Sequence, residues 1–343
     1  MGKTEDILEI LRGELQHGKY KPGSKFPSEH QLTARFGTSR VTINKITMQL
    51  AAEGFLERRK QGAGTYVKET APFPAGHLAF LGTIGHPYYA RIINGIQKSA
   101  FLKNYAVSFF SPEPELIIPC LEKIGHSRFR GLLASNIGII REPLPIPVVY
   151  VDNGYELGPS VRASVTCTNY RGAADIAEAV IAHGHREILI CTDYQTVVEE
   201  RRADRIQGFK DTLEKYGIGK MSKRVFHETV SDMPAAKFLL KRILKLFPET
   251  TVIMTDSDSL AYRLLQGLNE METVRPVTVT GFGNLGAGSG NLRIPSVEQH
   301  PEEIGIQSVN ELFRMIEDPE YVSPARIEIE TELVNLDKLP YIR

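Results

Sequence analysis

TSRVTINK, residues 38–45, begins a predicted helix with an unusual number of polar side chains. Ser39 and Thr42 place short hydroxyls near the helix N-terminus, where unpaired backbone N–H groups attract anions. Arg40 and Asn44 are four residues apart and therefore share one helix face. The apolar periodicity predicts a different, buried face made of Ile43, Ile46, Thr47 and Leu50. The polar face is either a solvated helix start or a surface that contacts a partner.

The neighbouring segments predict a compact module around this helix. An amphipathic helix begins after Thr4 and ends near Gly18, and a capping box at Ser28–Gln31 predicts a second, short helix. After the third helix, FLERRKQGAGTYVKE predicts a hairpin with a glycine-rich tip. The hairpin carries a run of cations and an amide, namely Arg58, Arg59, Lys60 and Gln61. Two separate basic elements in one small module favour contact with a polyanion over simple solvation of the helix face.

This layout suits DNA, because a helix-turn-helix can place one helix in the major groove while a basic wing holds the backbone or the minor groove. Arginine bonds a guanine edge or a phosphate with two donors, and asparagine can pair with adenine. Residues 5–68 resemble the winged helix-turn-helix of GntR-family transcription regulators, through GKYKPGSKFPSEHQL, FGTSRVTINKITMQLAAEGFL and QGAGTYV. The resemblance and the basic pattern together predict DNA contacts from His30, Ser39, Arg40, Thr42, Asn44, Lys45, Arg58, Arg59, Gln61 and Gly62.

Two positions depart from the GntR pattern. Asn44 stands where many members have arginine, and Val41 stands where threonine or histidine is common. The operator sequence therefore does not transfer from the family, and we expect Asn44 to set this protein's own base preference.

Length, composition and charge limit the classes of protein to which this sequence can belong. The 343 residues suit two or three domains, and 24% charged and 42% hydrophobic residues are typical of a soluble globular protein. The net charge of zero divides unevenly: residues 1–70 hold 12 basic and 8 acidic residues, leaving 41−12 = 29 and 41−8 = 33 for the rest. Three scattered cysteines without CxxC spacing, no membrane-length apolar run and no secretory pattern predict a cytoplasmic protein.

The rest of the chain has a different pattern. Residues 69–77, ETAPFPAGH, read as a linker between a DNA-binding domain at 1–68 and a body at 78–343. Buried-type strands then alternate with helices, which predicts a parallel α/β sheet. The alternation is long enough for two lobes, with chain crossings expected near 153–160 and 284–296.

Residues 78–335 resemble the effector-binding domains of LacI/GalR-type regulators, which have a two-lobed periplasmic-binding-protein-like fold. The resemblance rests on the order of several motifs, among them IGHPYYARIINGI, IPVVYVD, RADRIQGF, MTDSDSLAYRLLQGL and PSVEQH. A GntR-type reader joined to such a body is the arrangement of arabinose-repressor-like proteins. The fold class implied is an α/β two-lobed body with a small N-terminal α+β winged helix-turn-helix domain.

The resemblance implies effector contacts where strands end and helices begin, which is where open α/β sheets bind ligands. The matching positions are Tyr88, Tyr89, Asp152, Arg205, Ser257 and Gln299. Arg205 is the strongest candidate, since a rigid two-pronged donor suits adjacent hydroxyls or a carboxylate. The alternatives are a surface ion pair of Arg205 with Asp204 or Asp211, and simple packing of the tyrosines. Gly283 replaces the acidic residue usual after the late strand, which argues against a plain aldopentose or hexose ligand.

The sequence predicts no cofactor-binding or catalytic metal motif. Gly281–Gly286 matches G-x-G-x-x-G, but AGSGNLRIP follows in place of a helix, so we expect a glycine loop and no cofactor. His183 and His185 lack the spacing of a metalloprotease helix, and no metal site is predicted.

These patterns predict a transcription regulator and not an enzyme. We expect a homodimeric repressor of a carbohydrate-use operon that binds double-stranded operator DNA and is controlled by a sugar or sugar derivative between the lobes. The alternative is a cytosolic solute-binding or sugar-processing protein whose N-terminal module serves for interaction.

Overall fold

The fold is described from a computed structural model. It covers residues 3–16, 18–59, 64–69, 73–152, 157–193, 200–219, 221–271, 276–288 and 293–342. The chain divides into two compact units, one of Met1–His77 with Phe101–Ala106 and the other of Leu78–Ala100 with Val107–Arg343. Each unit is described by itself.

The first unit contains three helices and a hairpin. These are α1 Lys3–Gln16, α2 Glu29–Phe36, α3 Arg40–Ala52, β1 Leu56–Arg58 and β2 Thr65–Val67. The two strands pair antiparallel, with Leu56 opposite Val67. The predicted capping box is confirmed, because the Ser28 side chain accepts from the Gln31 backbone while the Gln31 side chain accepts from the Ser28 backbone N–H. Gly37 ends α2 with a left-handed φ of 56°, which is why glycine suits the turn.

The core of this unit matches the periodicity of the sequence. The predicted buried face of α3, formed by Ile43, Ile46, Thr47 and Leu50, is buried. Ile43, Ile46 and Leu50 pack in one cluster with Leu11 of α1, Leu32 of α2 and Val67 of β2. This cluster holds α3 by its apolar face, so the opposite face stays available.

The body begins with a six-stranded sheet, which forms the first lobe. Its elements are β3 Gly76–Gly82, α4 Pro87–Leu102, β4 Tyr105–Phe110, α5 Ile117–Gly125, β5 Leu132–Ser135, β6 Val148–Val151 and β7 Val161–Cys167. A strand near the end of the chain, β13 Arg326–Ile329, completes the sheet, whose order is β13-β7-β6-β5-β3-β4. The pairs β3–β5, β5–β6, β6–β7 and β7–β13 are all parallel. Strands such as β5 and β6 are buried along their whole length, as expected for a parallel sheet covered on both faces.

A four-stranded parallel sheet in the order β11-β10-β8-β9 forms the second lobe. Its elements are α6 Asn169–Ala182, β8 Ile188–Thr192, α7 Glu200–Lys215, α8 Met221–Arg224, β9 Val225–His227, α9 Met233–Leu246, β10 Val252–Thr255, α10 Asp258–Glu270 and β11 Thr278–Thr280. One face of this sheet packs against α9 and α10 through Leu240, Ile243, Leu260 and Leu264. The predicted two-lobed α/β fold class is confirmed.

After β11, the chain returns to the first lobe with α11 Pro301–Glu317 and β13 Arg326–Ile329. The strands β12 Ser296–Glu298 and β14 Glu332–Val334 pair antiparallel in a separate two-stranded sheet. Helix α11 crosses α4 so closely that a Cβ on Gly95 would lie 2.0 Å from the Glu302 carbonyl oxygen. This crossing fixes α4, whose first turn holds two predicted site residues.

One predicted chain crossing is wrong. The sequence placed it at 153–160, but β7 at Val161–Cys167 still pairs with β6 in the first sheet, so the chain leaves this lobe only after Cys167. The later crossing lies between β11 and α11, around the predicted 284–296. The strands β7, β9, β12, β13 and β14 were not predicted, since their short or polar sequences lack the continuous apolar pattern of buried strands.

Candidate DNA-binding surface and effector site

The N-terminal turn of α3 is fixed by its own hydroxyls. Ser39 caps the helix, with its Oγ accepting from the Thr42 backbone N–H at 3.1 Å and lying 2.8 Å from Thr42 Oγ1. The side chain of Arg40 is 83% exposed, and Lys45 is exposed one turn further along. Short capping hydroxyls with exposed cations beside them form a site that suits a phosphate oxygen.

A carboxylate that was not predicted organises the polar face of α3. Glu29, the first residue of α2, accepts from Arg40 Nε at 2.9 Å and from Asn44 Nδ2 at 3.0 Å. Asn44 Oδ1 in turn accepts from Arg58 Nη2 at 3.3 Å, and Arg58 lies 3.9 Å from Glu29. We call Glu29, Arg40, Asn44 and Arg58 the Glu29 cluster. It joins α2, α3 and β1 on one surface.

The remaining predicted DNA contacts fall in three groups. His30 is exposed in the first turn of α2. Arg59 is drawn along the hairpin, where its Nε donates to Glu57 at 2.8 Å and its guanidinium lies 4.3 Å from the Tyr66 ring centre. Gln61 and Gly62 lie outside the described residues. The structure therefore brings Arg40, Asn44 and Arg58 together and directs Arg59 elsewhere.

In the body, a chain of hydrogen bonds connects the predicted effector residues at the carboxyl ends of the strands. Gln299, just after β12, donates from Nε2 to Tyr88 Oη at 3.1 Å and to Cys167 Sγ at 3.4 Å. Cys167 Sγ donates to Asn169 Oδ1 at 3.4 Å, and Arg205 Nε donates to the same oxygen at 2.7 Å. The chain runs from α4 in the first lobe to α7 in the second.

Within this chain of hydrogen bonds, Arg205 is held by further contacts besides its bond to Asn169. It is only 5% exposed, its Nη1 donates to the Asp256 carbonyl at 2.8 Å, and its guanidinium lies 3.9 Å from the Phe282 ring centre. The alternative of a surface ion pair is wrong: Asp204 pairs with Arg326, and Asp211 accepts from Tyr170. A buried, planar and positively charged group at the strand ends is suited to hydroxyl or carboxylate oxygens.

The other predicted effector residues are less closely tied to this chain. Tyr89 is buried beside Tyr88, with ring centres 5.5 Å apart in an edge-to-face arrangement. Asp152 is buried directly after β6 in a left-handed conformation with φ of 50°. Ser257 caps α10, where its hydroxyl accepts from the Leu260 backbone at 3.3 Å, so the fold itself accounts for this serine.

Sequence reasoning missed several polar groups at the strand ends. Asn169 and Phe282 hold Arg205, and Thr192 Oγ1 donates to Asp256 Oδ2 at 2.6 Å. Ser135 ends β5 and Thr280 ends β11; both hydroxyls are buried and make no hydrogen bond within the described part of the chain. Such hydroxyls are rare in folded proteins and are commonly satisfied by water or a ligand. The sequence could have indicated these hydroxyls, because they lie at strand ends, where open α/β sheets bind ligands.

The glycine loop after β11 has a structural explanation. Asp258 is buried and accepts from Leu285 N and Ser296 Oγ, both at 2.6 Å, and burial raises the pKa of its carboxyl. A Cβ at Gly281 would lie 2.0 Å from Asp258 Oδ1, so only glycine fits there. Gly283 has a φ of +129°, which disfavours any side chain at the position where the family has an acid. The loop continues into a 3-10 turn at Leu285–Gly288, as expected for a loop without a dinucleotide helix.

The described residues show three further features. None of their helices is both long and apolar enough to cross a membrane. They hold no group of three His, Cys, Asp or Glu side chains arranged to bind a metal ion. No disulfide joins the three cysteines.

A helix-turn-helix with a basic hairpin, joined in one chain to a two-lobed α/β body, defines a DNA-binding transcription regulator with a ligand-binding domain. Residues 3–67 match the family model described as bacterial regulatory proteins, gntR family, and residues 177–335 match the periplasmic binding protein-like domain. This protein therefore combines a GntR helix-turn-helix domain with a periplasmic-binding-protein-like domain, as the sequence motifs predicted.

Two relatives match nearly the whole chain, and a solved structure matches about three quarters of it. The arabinose metabolism transcriptional repressor of Geobacillus stearothermophilus is 22% identical, over 92% of this chain and 90% of the relative. The repressor of the same name from Halalkalibacterium halodurans is 25% identical, over 92% of this chain and 89% of the relative. A LacI family transcriptional regulator from Enterococcus faecium, solved with bound ribose, has a TM-score of 0.64 and 18% identity, covering 76% of this chain and 97% of its own.

Proposed function

We propose that this protein is a repressor of carbohydrate-use genes whose affinity for operator DNA is set by a small carbohydrate or a derivative bound between the two lobes. It acts as a homodimer in the cytoplasm, with two winged modules on a pseudo-palindromic operator. The relatives that span nearly the whole chain are named as repressors of arabinose metabolism. They do not favour a solute-binding or sugar-processing protein, which we set aside.

One observation carries the proposal that an effector binds between the lobes. The chain from Tyr88 through Gln299 and Asn169 to Arg205 connects the lobes through buried polar groups at the strand ends. A ligand inserted among these groups would bind the two lobe arrangements with different affinities, which is the requirement for a ligand to shift the equilibrium. The buried hydroxyls of Ser135 and Thr280, one in each lobe, make no hydrogen bond to the residues that the structure describes and support a ligand rich in hydroxyl groups.

The charges of the site favour one class of sugar. Gly283 removes an acidic acceptor, while Arg205 supplies a buried cation. This balance supports a sugar with an oxygen-rich or acidic substituent over a plain aldopentose or hexose.

DNA binding is tested by anisotropy with DNA from the promoter region of this protein's gene and with scrambled DNA of equal length. We expect a preference for the promoter DNA and an affinity that falls steeply between about 50 and 200 mM salt. Arg40→Ala should weaken promoter binding by about 10- to 100-fold. Lys215→Ala removes one exposed charge from the body and is the matched control. The absence of any preference at every salt concentration would contradict the proposal.

Effector binding is tested by a thermal-shift screen of pentoses, hexoses, sugar acids and sugar phosphates, because a ligand of the native state raises its melting temperature. Any compound that stabilises the protein is then added to the complex with promoter DNA. We expect operator affinity to change by about 5- to 150-fold, the usual range of such coupling. A stabilising sugar that leaves operator affinity unchanged would contradict an effector role.

A further inference from the structure

Val41 is the most exposed large apolar side chain of the N-terminal unit in the described part of the chain. It lies in the first turn of α3 and is 80% exposed. It contributes nothing to the buried face of the helix, which is formed by Ile43, Ile46, Thr47 and Leu50. As a β-branched residue, valine also has a lower helix propensity than the long polar residues usual at exposed helix positions. Neither packing nor helix formation accounts for it.

The surroundings of Val41 are polar and positively charged. Arg40 precedes it with a side chain that is 83% exposed, and Lys45, four residues later, shares its helix face. Arg58 reaches the same surface through the Glu29 cluster. A partner that is complementary to this surface is therefore negatively charged and presents an apolar group opposite Val41.

Double-stranded DNA has this combination in its major groove. Phosphates line the groove, and the C5-methyl group of thymine is the apolar feature on the base edges. The first turn of a recognition helix is the part that reaches those edges. Thr42 and Ser39 bond to each other, and the Glu29 cluster holds Arg40 and Asn44 beside Val41 on the exposed surface of α3. Val41 therefore lies among polar side chains whose own positions are held by hydrogen bonds.

We propose that Val41 is a specificity-determining residue that contacts the C5-methyl group of a thymine in each operator half-site. This inference rests on the proposed DNA-binding function. It assigns to Val41 a thymine at a fixed position in the half-site, next to the base or phosphate bound by Arg40. A threonine or histidine at position 41, as in many related domains, would present a hydrogen-bonding group there instead.

The experiment begins with selection of the preferred site from a random DNA library by the full-length wild-type protein. Each thymine of that site is then replaced in turn by deoxyuridine, which removes the methyl group and keeps Watson–Crick pairing. We expect one symmetry-related position at which deoxyuridine weakens wild-type binding by about three- to five-fold, the effect of losing one buried methyl group. At this position, Val41→Ala should bind thymine and deoxyuridine DNA equally.

Two variants serve as controls. Ile10→Ala truncates another exposed apolar residue of the same unit, on α1, and should keep the wild-type response to deoxyuridine. Val41→Thr keeps the shape of the side chain but exchanges one methyl for a hydroxyl, and should show a reduced response. Because Val41 is exposed, we expect the thermal unfolding of Val41→Ala to match that of the wild type.

The outcomes separate this inference from the proposed function. Failure to select any preferred site overturns the proposed function and this inference with it. A selected site at which no deoxyuridine substitution matters overturns the inference alone. So does a sensitive position that remains equally sensitive in Val41→Ala.

Discussion

Arg205 shows how much one residue depends on its surroundings. Its guanidinium bonds Asn169 and the Asp256 carbonyl while it covers the Phe282 ring. The fork geometry of arginine permits all three contacts, whereas a lysine ammonium is a point charge without a flat face. The position therefore requires arginine for its shape as well as for its charge.

We expect Arg205→Lys to fold and to bind promoter DNA normally without effector, but to lose at least about 10-fold in effector affinity, since one or more buried hydrogen bonds to the site are lost. Titration of the effector by thermal shift and by DNA release measures this. Arg224→Lys is a matched control, because Arg224 also bonds a carbonyl, that of Ile188, and lies 5.7 Å from an aromatic ring, that of Phe247. Wild-type effector affinity in Arg205→Lys would contradict the assignment.

Glu14 gives a prediction on pH. It accepts hydrogen bonds from Arg35, Lys19 and Tyr20, and the Arg35 guanidinium is the main reason that the pKa of Glu14 falls from 4.5 to about 2. A carboxyl whose pKa is lowered in the folded state stabilises the fold above its unfolded pKa, and this contribution is lost as the pH falls from about 4.5 towards 2.

We expect Glu14→Gln to lose about 1–2 kcal/mol of stability at pH 7, a value reduced because Arg35 is partly exposed to solvent. The variant should also lose less stability than the wild type between pH 5 and pH 3. Calorimetry of the full chain at several pH values measures both. An unchanged pH dependence in Glu14→Gln would refute the interpretation.

At the scale of elements, the crossing of α4 and α11 is decided by two glycines. A Cβ on Gly95 would lie 2.0 Å from the Glu302 carbonyl oxygen, and one on Gly305 would lie 2.2 Å from the Ile92 carbonyl oxygen. Only glycine lets the two helix backbones approach this closely. The crossing in turn holds the first turn of α4, with Tyr88 and Tyr89, at the strand ends.

We expect Gly95→Ala to destabilise the body by about 1–3 kcal/mol, because the helices must separate to admit the methyl group. Gly219→Ala is the control, since a Cβ there meets no atom within 4 Å, and it should change stability by no more than about 0.5 kcal/mol. Urea unfolding of the two variants compares them. Equal stabilities would show that the crossing relaxes without strain.

At the scale of the whole body, Glu298 connects the lobes on the crossing strand β12. Its Oε2 accepts from Arg91 Nη2 of α4 at 3.0 Å and from Asn284 Nδ2, after β11, at 2.8 Å. Glu298 is buried, so its charge interacts strongly with both partners. These contacts stabilise one arrangement of the lobes.

We expect Asn284→Gly to reduce the ratio of operator affinities without and with effector by about 5-fold or more, because the second lobe loses its bond to Glu298. Glycine accepts the left-handed backbone, with φ of 48°, that Asn284 adopts. Asn104→Gly replaces another left-handed asparagine, in the turn before β4, and should leave the ratio unchanged. An unaltered ratio in Asn284→Gly would exclude a part for Glu298 in coupling.

The sequence by itself determined the helices of the N-terminal unit and the strands with continuous apolar sequences. The helix of Arg40–Ala52, its buried residues, the capping box at Ser28 and the turn at Gly37 follow from periodicity and capping chemistry, which act over a few residues. Motif order predicted the GntR helix-turn-helix domain and the two-lobed body. Short strands with polar sequences, such as β13, escaped the same reasoning because their stability comes from a neighbouring strand.

Only the tertiary structure decided which side chains meet. Arg205 contacts residues 36 positions before it and 51 after it, and Glu29 contacts Arg40 and Asn44 from a different helix. Such pairs depend on how whole elements pack, and no periodicity within a segment encodes the distance to a residue on another element. The sequence thus determined that the chain has a basic helix start and a set of polar strand ends. Packing decided that Glu29 binds Arg40 and Asn44 at the helix start, and that Gln299 and Arg205 belong to one chain of hydrogen bonds at the strand ends.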